Sequence, residues 1–143
     1  MTLHKVLVGS LLFVFGCLCA AQRAEIKKVP IKNIDASDGE KMYSTYCAAC
    51  HGKDGKGIGP AAASLKTSPA DLTTLAERNN GNFPELAVYQ TILGDNAIAS
   101  HGNKDMPVWG GLFSSLCTGA RTPQPEIQMR VGNLTRYVKS LQR

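Results

Sequence analysis

Aromatic side chains, alternating strand patterns and long apolar runs are what this sequence has least of. Aromatics make up 6% of the 143 residues and Trp occurs once, so a large aromatic core is not available to fill the interior. No segment of alternating β-branched residues stands out, which argues against a sheet and leaves a mainly α class with long loops. After residue 21 no stretch approaches the roughly 20 apolar residues that a spanning helix needs. Basic runs with interleaved aromatics are also missing, so the formal charge of +5 supports solubility and steering toward acidic partners, with no nucleic acid implied. The length sets a single-domain expectation.

What is present begins with residues 1–21. Lys5 precedes the uncharged run "VLVGSLLFVFG" and the small-residue segment "CLCAA", the pattern of a secretory signal peptide cut near Ala21. A periplasmic or otherwise exported protein is expected. A lipoprotein anchored at Cys17 or Cys19 is the competing reading and the case in which a membrane becomes a partner. Removal of the signal leaves Cys47, Cys50 and Cys117, and an odd count with one close pair is not a disulfide scaffold.

Residues 22–36 mix charge with Pro30 and read as a flexible linker, with the ordered domain over 37–143. Ser37 and Glu40 form a capping-box pattern that opens a helix carrying Met42, Tyr43, Tyr46 and Cys50. "SPADLTTLAERN" predicts a helix capped by Ser68, with Pro69 in its first turn and Leu72, Leu75 and Ala76 inward. "FPELAVYQTILG" predicts another, turning Tyr89, Ile92 and Leu93 inward and stopping at Gly94. Asp95 to Gln124 reads as loop. The last segment sets Ile127, Val131, Leu134, Val138 and Leu141 at helical spacing, with Arg130, Arg136 and Lys139 away from the apolar stripe.

Chemistry concentrates in Cys47-Ala-Ala-Cys50-His51, the C-x-x-C-H attachment signal for one c-type haem. Two thiols at this spacing near a helix end can each bond one vinyl group of a porphyrin, and the adjacent imidazole can reach the iron. A redox dithiol would want a thioredoxin-like strand before it, and a zinc site would want a second Cys or His pair; Cys117 and His101 are isolated. For the opposite face of the iron the candidates are Met42, Met106, Met129 and His101. Met42 lies too near His51, and Met129 falls in the last helix at a position read as core. Met106 sits in "NKDMPVWGG", far enough from His51 to wrap the other face, with Pro107 stiffening the backbone and Trp109 able to cover the porphyrin edge. His101 is the rival and would lower the potential relative to Met.

With these residues assembled, the chain resembles the class I cytochrome c family, in particular small bacterial monohaem members, over roughly Ser37 to Leu141. Gly39 and Tyr43 match the family's first-helix pair, and Leu134 and Tyr137 match the pair on its last helix. The resemblance implies four to five helices around one haem, with the first and last helices crossing. It also implies that the Pro60 carbonyl accepts a hydrogen bond from the His51 imidazole, and that the haem c so held serves an electron carrier rather than an enzyme. Protein redox partners follow: a dehydrogenase, an oxidase or a respiratory complex. Lys53, Lys56 and Lys104 are candidates for steering them. The alternatives are an electron-accepting subunit bound to a dehydrogenase or oxidase, which would use the long loop around Cys117, and an open-site sensor or peroxidase.

Overall fold

Asp38 rather than Ser37 starts the first helix. In the computed structural model, which describes residues 30–94, 106–117 and 122–143, the Asp38 carboxylate accepts the Lys41 N–H at 2.8 Å, and α1 runs Gly39–Tyr46. Ser37 is occupied elsewhere, donating both its N–H and its hydroxyl to Asp35. Both residues are good caps, and only the carboxylate that points into the first turn serves. The signal segment with Cys17 and Cys19, residues 22–29 of the linker, His101 and Lys104 lie outside the described residues.

The expected linker boundary moves earlier. Ile34 and Ala36 are buried, and the Tyr46 hydroxyl donates to the Lys32 carbonyl at 2.7 Å, so the packed domain already includes residues assigned to 22–36. Arg130 is the reason. Expected on the solvent side of the last helix, it is only 2% exposed. It donates to the Ile34 carbonyl, to Asn33 at 3.0 Å and to Glu126 at 2.7 Å, while Asn133 donates to the Ala36 carbonyl.

Cys47 breaks the first helix, and a single turn, α2 (Ala48–His51), follows. The expected helix over "SPADLTTLAERN" is not formed. Instead two 3-10 turns occur, Leu72–Thr74 and Glu77–Asn79. Asp71 is the cap here: its side chain accepts the Thr73 N–H at 2.8 Å and the Thr73 hydroxyl at 2.6 Å, holding a tight turn where Ser68 was expected to open an α-helix. α3 (Glu85–Leu93) forms as expected and ends at Gly94. Within the stretch expected to be loop, Trp109–Ser114 forms a short helix, α4, which buries Trp109 and Phe113. α5 (Gln124–Ser140) buries Ile127, Val131, Leu134 and Val138.

No strand occurs among the described residues, and the mainly α class holds. α5 is the spine, packed against α1, α3 and α4. At the α1/α5 crossing a Cβ on Gly39 would lie 2.5 Å from the Asn133 carbonyl oxygen, so this position accepts no side chain without moving a backbone. Tyr43 and Tyr137 pack beside it with ring centroids 5.1 Å apart and planes tilted by 44°. Three of the four residues that the resemblance implied, Gly39, Tyr43 and Tyr137, therefore meet where the first and last helices cross, and the fourth, Leu134, is fully buried. Scarce as they are, the aromatics are gathered: Tyr46, Trp109 and Phe113 lie with centroids 5.3 to 5.7 Å apart.

Candidate functional site

The crossing delivers the end of α1 and the turn of α2 to one edge of the core. Cys47, Cys50 and His51 sit there, all partly buried, with both thiols free of any disulfide. Burial, with the neighbouring Cys50 adding to it, pushes the Cys47 thiol up to about 12, so at neutral pH it is a protonated, unreactive thiol. That is the opposite of an activated redox cysteine, which requires a lowered value. Nor do the described residues gather three or more His, Cys, Asp or Glu side chains able to hold a metal ion by themselves.

His51 is oriented from outside its own helix. Its Nδ1 lies 3.1 Å from the Ala70 carbonyl oxygen, which can only accept, so Nδ1 carries the proton and Nε2 keeps a free lone pair. Burial holds the imidazole below its ordinary value, and the Ala70 bond opposes that shift without cancelling it. The result is a neutral imidazole of fixed tautomer, the form that ligates a metal.

The structure names a different carbonyl from the one expected. Pro60 is exposed, and its neighbours are committed to the motif's own helix: Gly59 N–H donates to the Cys50 carbonyl and Ala61 N–H to the Ala49 carbonyl. This lays the segment along α2 and leaves room for residues 69–72 to pass beside His51. Gly57, with φ +80°, makes that passage possible, since a Cβ there would collide with the Pro69 carbonyl and lie 3.2 Å from the Ala70 carbonyl carbon. Gly57 N–H donates to the His51 carbonyl at 2.8 Å, and the Tyr43 hydroxyl donates to the Gly52 carbonyl at 2.8 Å, so the glycine loop is pinned at both ends.

The other candidates fall in different places. Met106 is partly buried and packs against the core. Met42 is fully buried, and Met129, read as core, is 48% exposed because the helix turns Arg130 inward instead. Trp109 is buried between Tyr46 and Phe113. Cys117 is partly exposed and donates weakly to the Phe113 carbonyl, a satisfied side chain on the last turn after α4. Ala70 was invisible in the sequence because its role is played by main chain. The nearest signal was Asp71 two residues before Thr73, a turn-capping pair.

A porphyrin fits these residues. Two unpaired thiols flank one helical turn, and the imidazole beside them is tied at Nδ1 and free at Nε2. Comparisons with known proteins agree. The family model described as "Cytochrome C oxidase, cbb3-type, subunit III" matches residues 34–117, more than half of the chain. Cytochrome c-551 of Bacillus subtilis (strain 168) is 28% identical over 89 residues, covering 58% of this chain and 80% of the relative. No solved structure matches. Haem-based electron transfer is the work of such proteins, and among the described residues no helix is long and apolar enough to cross a membrane. The chain belongs to the family described as cytochrome C oxidase, cbb3-type, subunit III, and is a small c-type cytochrome with covalently bound haem c.

Proposed function

We propose that this protein carries single electrons between exported or membrane-bound redox partners, with Cys47 and Cys50 as the thioether residues and His51 and Met106 as the axial ligands. The observation that carries the reading is the fixed tautomer of His51 beside two free thiols. Haem c would supply a one-electron couple, and with His51 and Met106 holding the iron no position would be left for a substrate. Met106, three residues before α4, is the candidate that combines distance from His51 in sequence with packing on the core, whereas Met129, farther still, is 48% exposed on α5. Trp109 and the Tyr46/Phe113 cluster serve as the stiff apolar wall behind it.

Visible spectra of the holoprotein test this. The reading expects the weak red sulfur-to-iron band in the oxidised protein and no carbon monoxide binding by the reduced protein. Met106→Ala should abolish the band, admit carbon monoxide and lower the potential. An unchanged spectrum in that variant removes Met106 from the iron; absence of the band without carbon monoxide binding would point to His101, and fast binding by the unaltered protein to a sensor or peroxidase.

Lys53 is exposed and Lys56 is half-exposed, although Lys56 pairs with Asp54 at 3.2 Å and so presents less free charge. Ile58, 75% exposed, lies in the same loop, so this face combines charge with an apolar contact. Neutralising Lys53, Lys56 and Lys104 together should slow association with an acidic redox partner and flatten its salt dependence. Unchanged rates at low salt would dismiss the steering role.

The family's description as an oxidase subunit favours a second reading, a haem-bearing subunit that stays bound to a terminal oxidase or dehydrogenase. Copurification with a large membrane complex at high salt would select it over the freely diffusing carrier.

A further inference from the structure

The Ala70 carbonyl has no side chain to hold it in place, and the residues that do hold it come from far along the chain. Upstream, Pro69 and Ala70 rest on the Gly57 backbone. Downstream, Leu72 N–H donates to the Gly55 carbonyl at 2.7 Å, and the Asp71 carboxylate closes the turn onto Thr73. Arg78 donates to the Asp71 carbonyl at 2.6 Å.

The C-terminus then fastens this turn from outside. Gln142 uses both ends of its amide: Nε2 donates to the Leu72 carbonyl at 2.7 Å and Oε1 accepts the Ala76 N–H at 2.9 Å. Arg143 N–H donates to the Thr73 carbonyl at 3.2 Å. The exposed Arg143–Asp71 ion pair at 3.4 Å adds little to these. Gln142 is thus a staple across residues 72–76, and the main chain that carries Ala70 is its neighbour.

We infer that Asp71, Thr73 and Gln142 are positioning residues for His51, acting through the Ala70 carbonyl to set how strongly the imidazole donates to its metal. The inference rests on His51 being the axial ligand. A carbonyl held close to Nδ1–H gives the ring more imidazolate character and raises its basicity at Nε2. A more basic ligand favours the oxidised metal, so the intact staple lowers the potential and its loss raises it. The last residues of the chain therefore tune a site at residue 51.

The experiment uses holoprotein labelled with 15N-histidine, read by NMR and by spectroelectrochemical titration. In the unaltered oxidised protein the His51 ring signals are expected to carry a large paramagnetic shift. Their absence would overturn the ligand assignment and this inference with it, before any variant is made. Gln142→Ala and Asp71→Ala are expected to move the Nδ1–H signal of the reduced protein upfield, speed its exchange and raise the midpoint potential. The expected size is up to about tenfold in the reduced-to-oxidised ratio at fixed ambient potential, equivalent to about 59 mV for one electron. Asp71→Asn, which keeps an oxygen for the Thr73 N–H, is expected to restore both readouts. Should Asp71→Ala fail to fold, Gln142→Ala carries the comparison, since it removes only the tail's bonds. A paramagnetically shifted His51 with an unchanged Nδ1–H signal and potential in Gln142→Ala would overturn the inference while leaving the ligand in place.

Discussion

Replacing Arg130 by alanine is expected to destabilise the holoprotein by about 3 kcal/mol, the largest single-residue effect away from the site. The guanidinium is almost completely buried and serves three oxygen acceptors and the Met42 sulfur, one of the oxygens being the carbonyl of Ile34, itself 4% exposed. Removing it leaves that carbonyl without a partner, which costs about 1–3 kcal/mol, strips the Met42 sulfur of its contact with the guanidinium and empties the volume of the buried side chain. Glu126 is partly solvated and can recover water, so its share is small. Arg130→Met should lose less than Arg130→Ala because it refills the volume, and denaturant titration of the two separates packing from hydrogen bonding. The same pair gives a pH signature. Hydrogen bonding from Arg130, with a smaller contribution from Cys117, holds the Glu126 carboxyl below its ordinary value. The native state thus binds that proton less readily than the unfolded chain, so the stabilisation is complete above about pH 4.3 and is lost as pH falls through the lowered native value. Glu126→Gln should flatten this acid limb; an unaltered limb would mean that the ion pair is not coupled to folding.

Two glycines facing different surroundings should respond to alanine with opposite signs. Gly39→Ala is expected to destabilise by about 2 kcal/mol, because its Cβ would sit 2.5 Å from the Asn133 carbonyl oxygen and 3.3 Å from the Tyr137 Cβ. Neither neighbour is the loose end of a side chain, so α1 and α5 must separate, and Gly39→Val should be worse still. Gly132→Ala, in the middle of α5 with nothing within 4 Å of the added methyl, should stabilise by up to about 1 kcal/mol through helix propensity alone. Thermal melts of the three holoprotein variants against the unaltered protein give the answer. A neutral Gly39→Ala would mean that the crossing is looser than its geometry.

Local signals were legible and borrowed ones were not. The stripe Ile127, Val131, Leu134 and Val138 lies within one helix and reads off its spacing, as does the C-x-x-C-H group, whose members are neighbours in sequence. Arg130 looked like a surface cation because its partners, Asn33 and Ile34, lie 97 and 96 residues earlier. Trp109–Ser114 contains two glycines and by composition reads as loop; its helix rests on the burial of Trp109 and Phe113, a tertiary gain that propensity does not contain. Ser37 against Asp38 was a choice between adjacent caps that only geometry makes. The carbonyl facing His51 was the hardest of all, since Ala70 shows nothing in its side chain and depends on a turn that Asp71 closes.

The α1/α5 crossing also sets an order in time. It joins Gly39 to Asn133 and Ile34 to Arg130, so the core has no lid until nearly the whole chain exists. Contacts of such long sequence separation form late, after the entropy of closing the intervening chain has been met. Until α5 docks, therefore, Cys47 and Cys50 lie in a segment the core has not yet covered, and the desolvation that raises the Cys47 thiol in the folded protein has not yet begun. The last helix to arrive is thus the one that completes the burial around Cys47, and a chain that closes early has shut that thiol away.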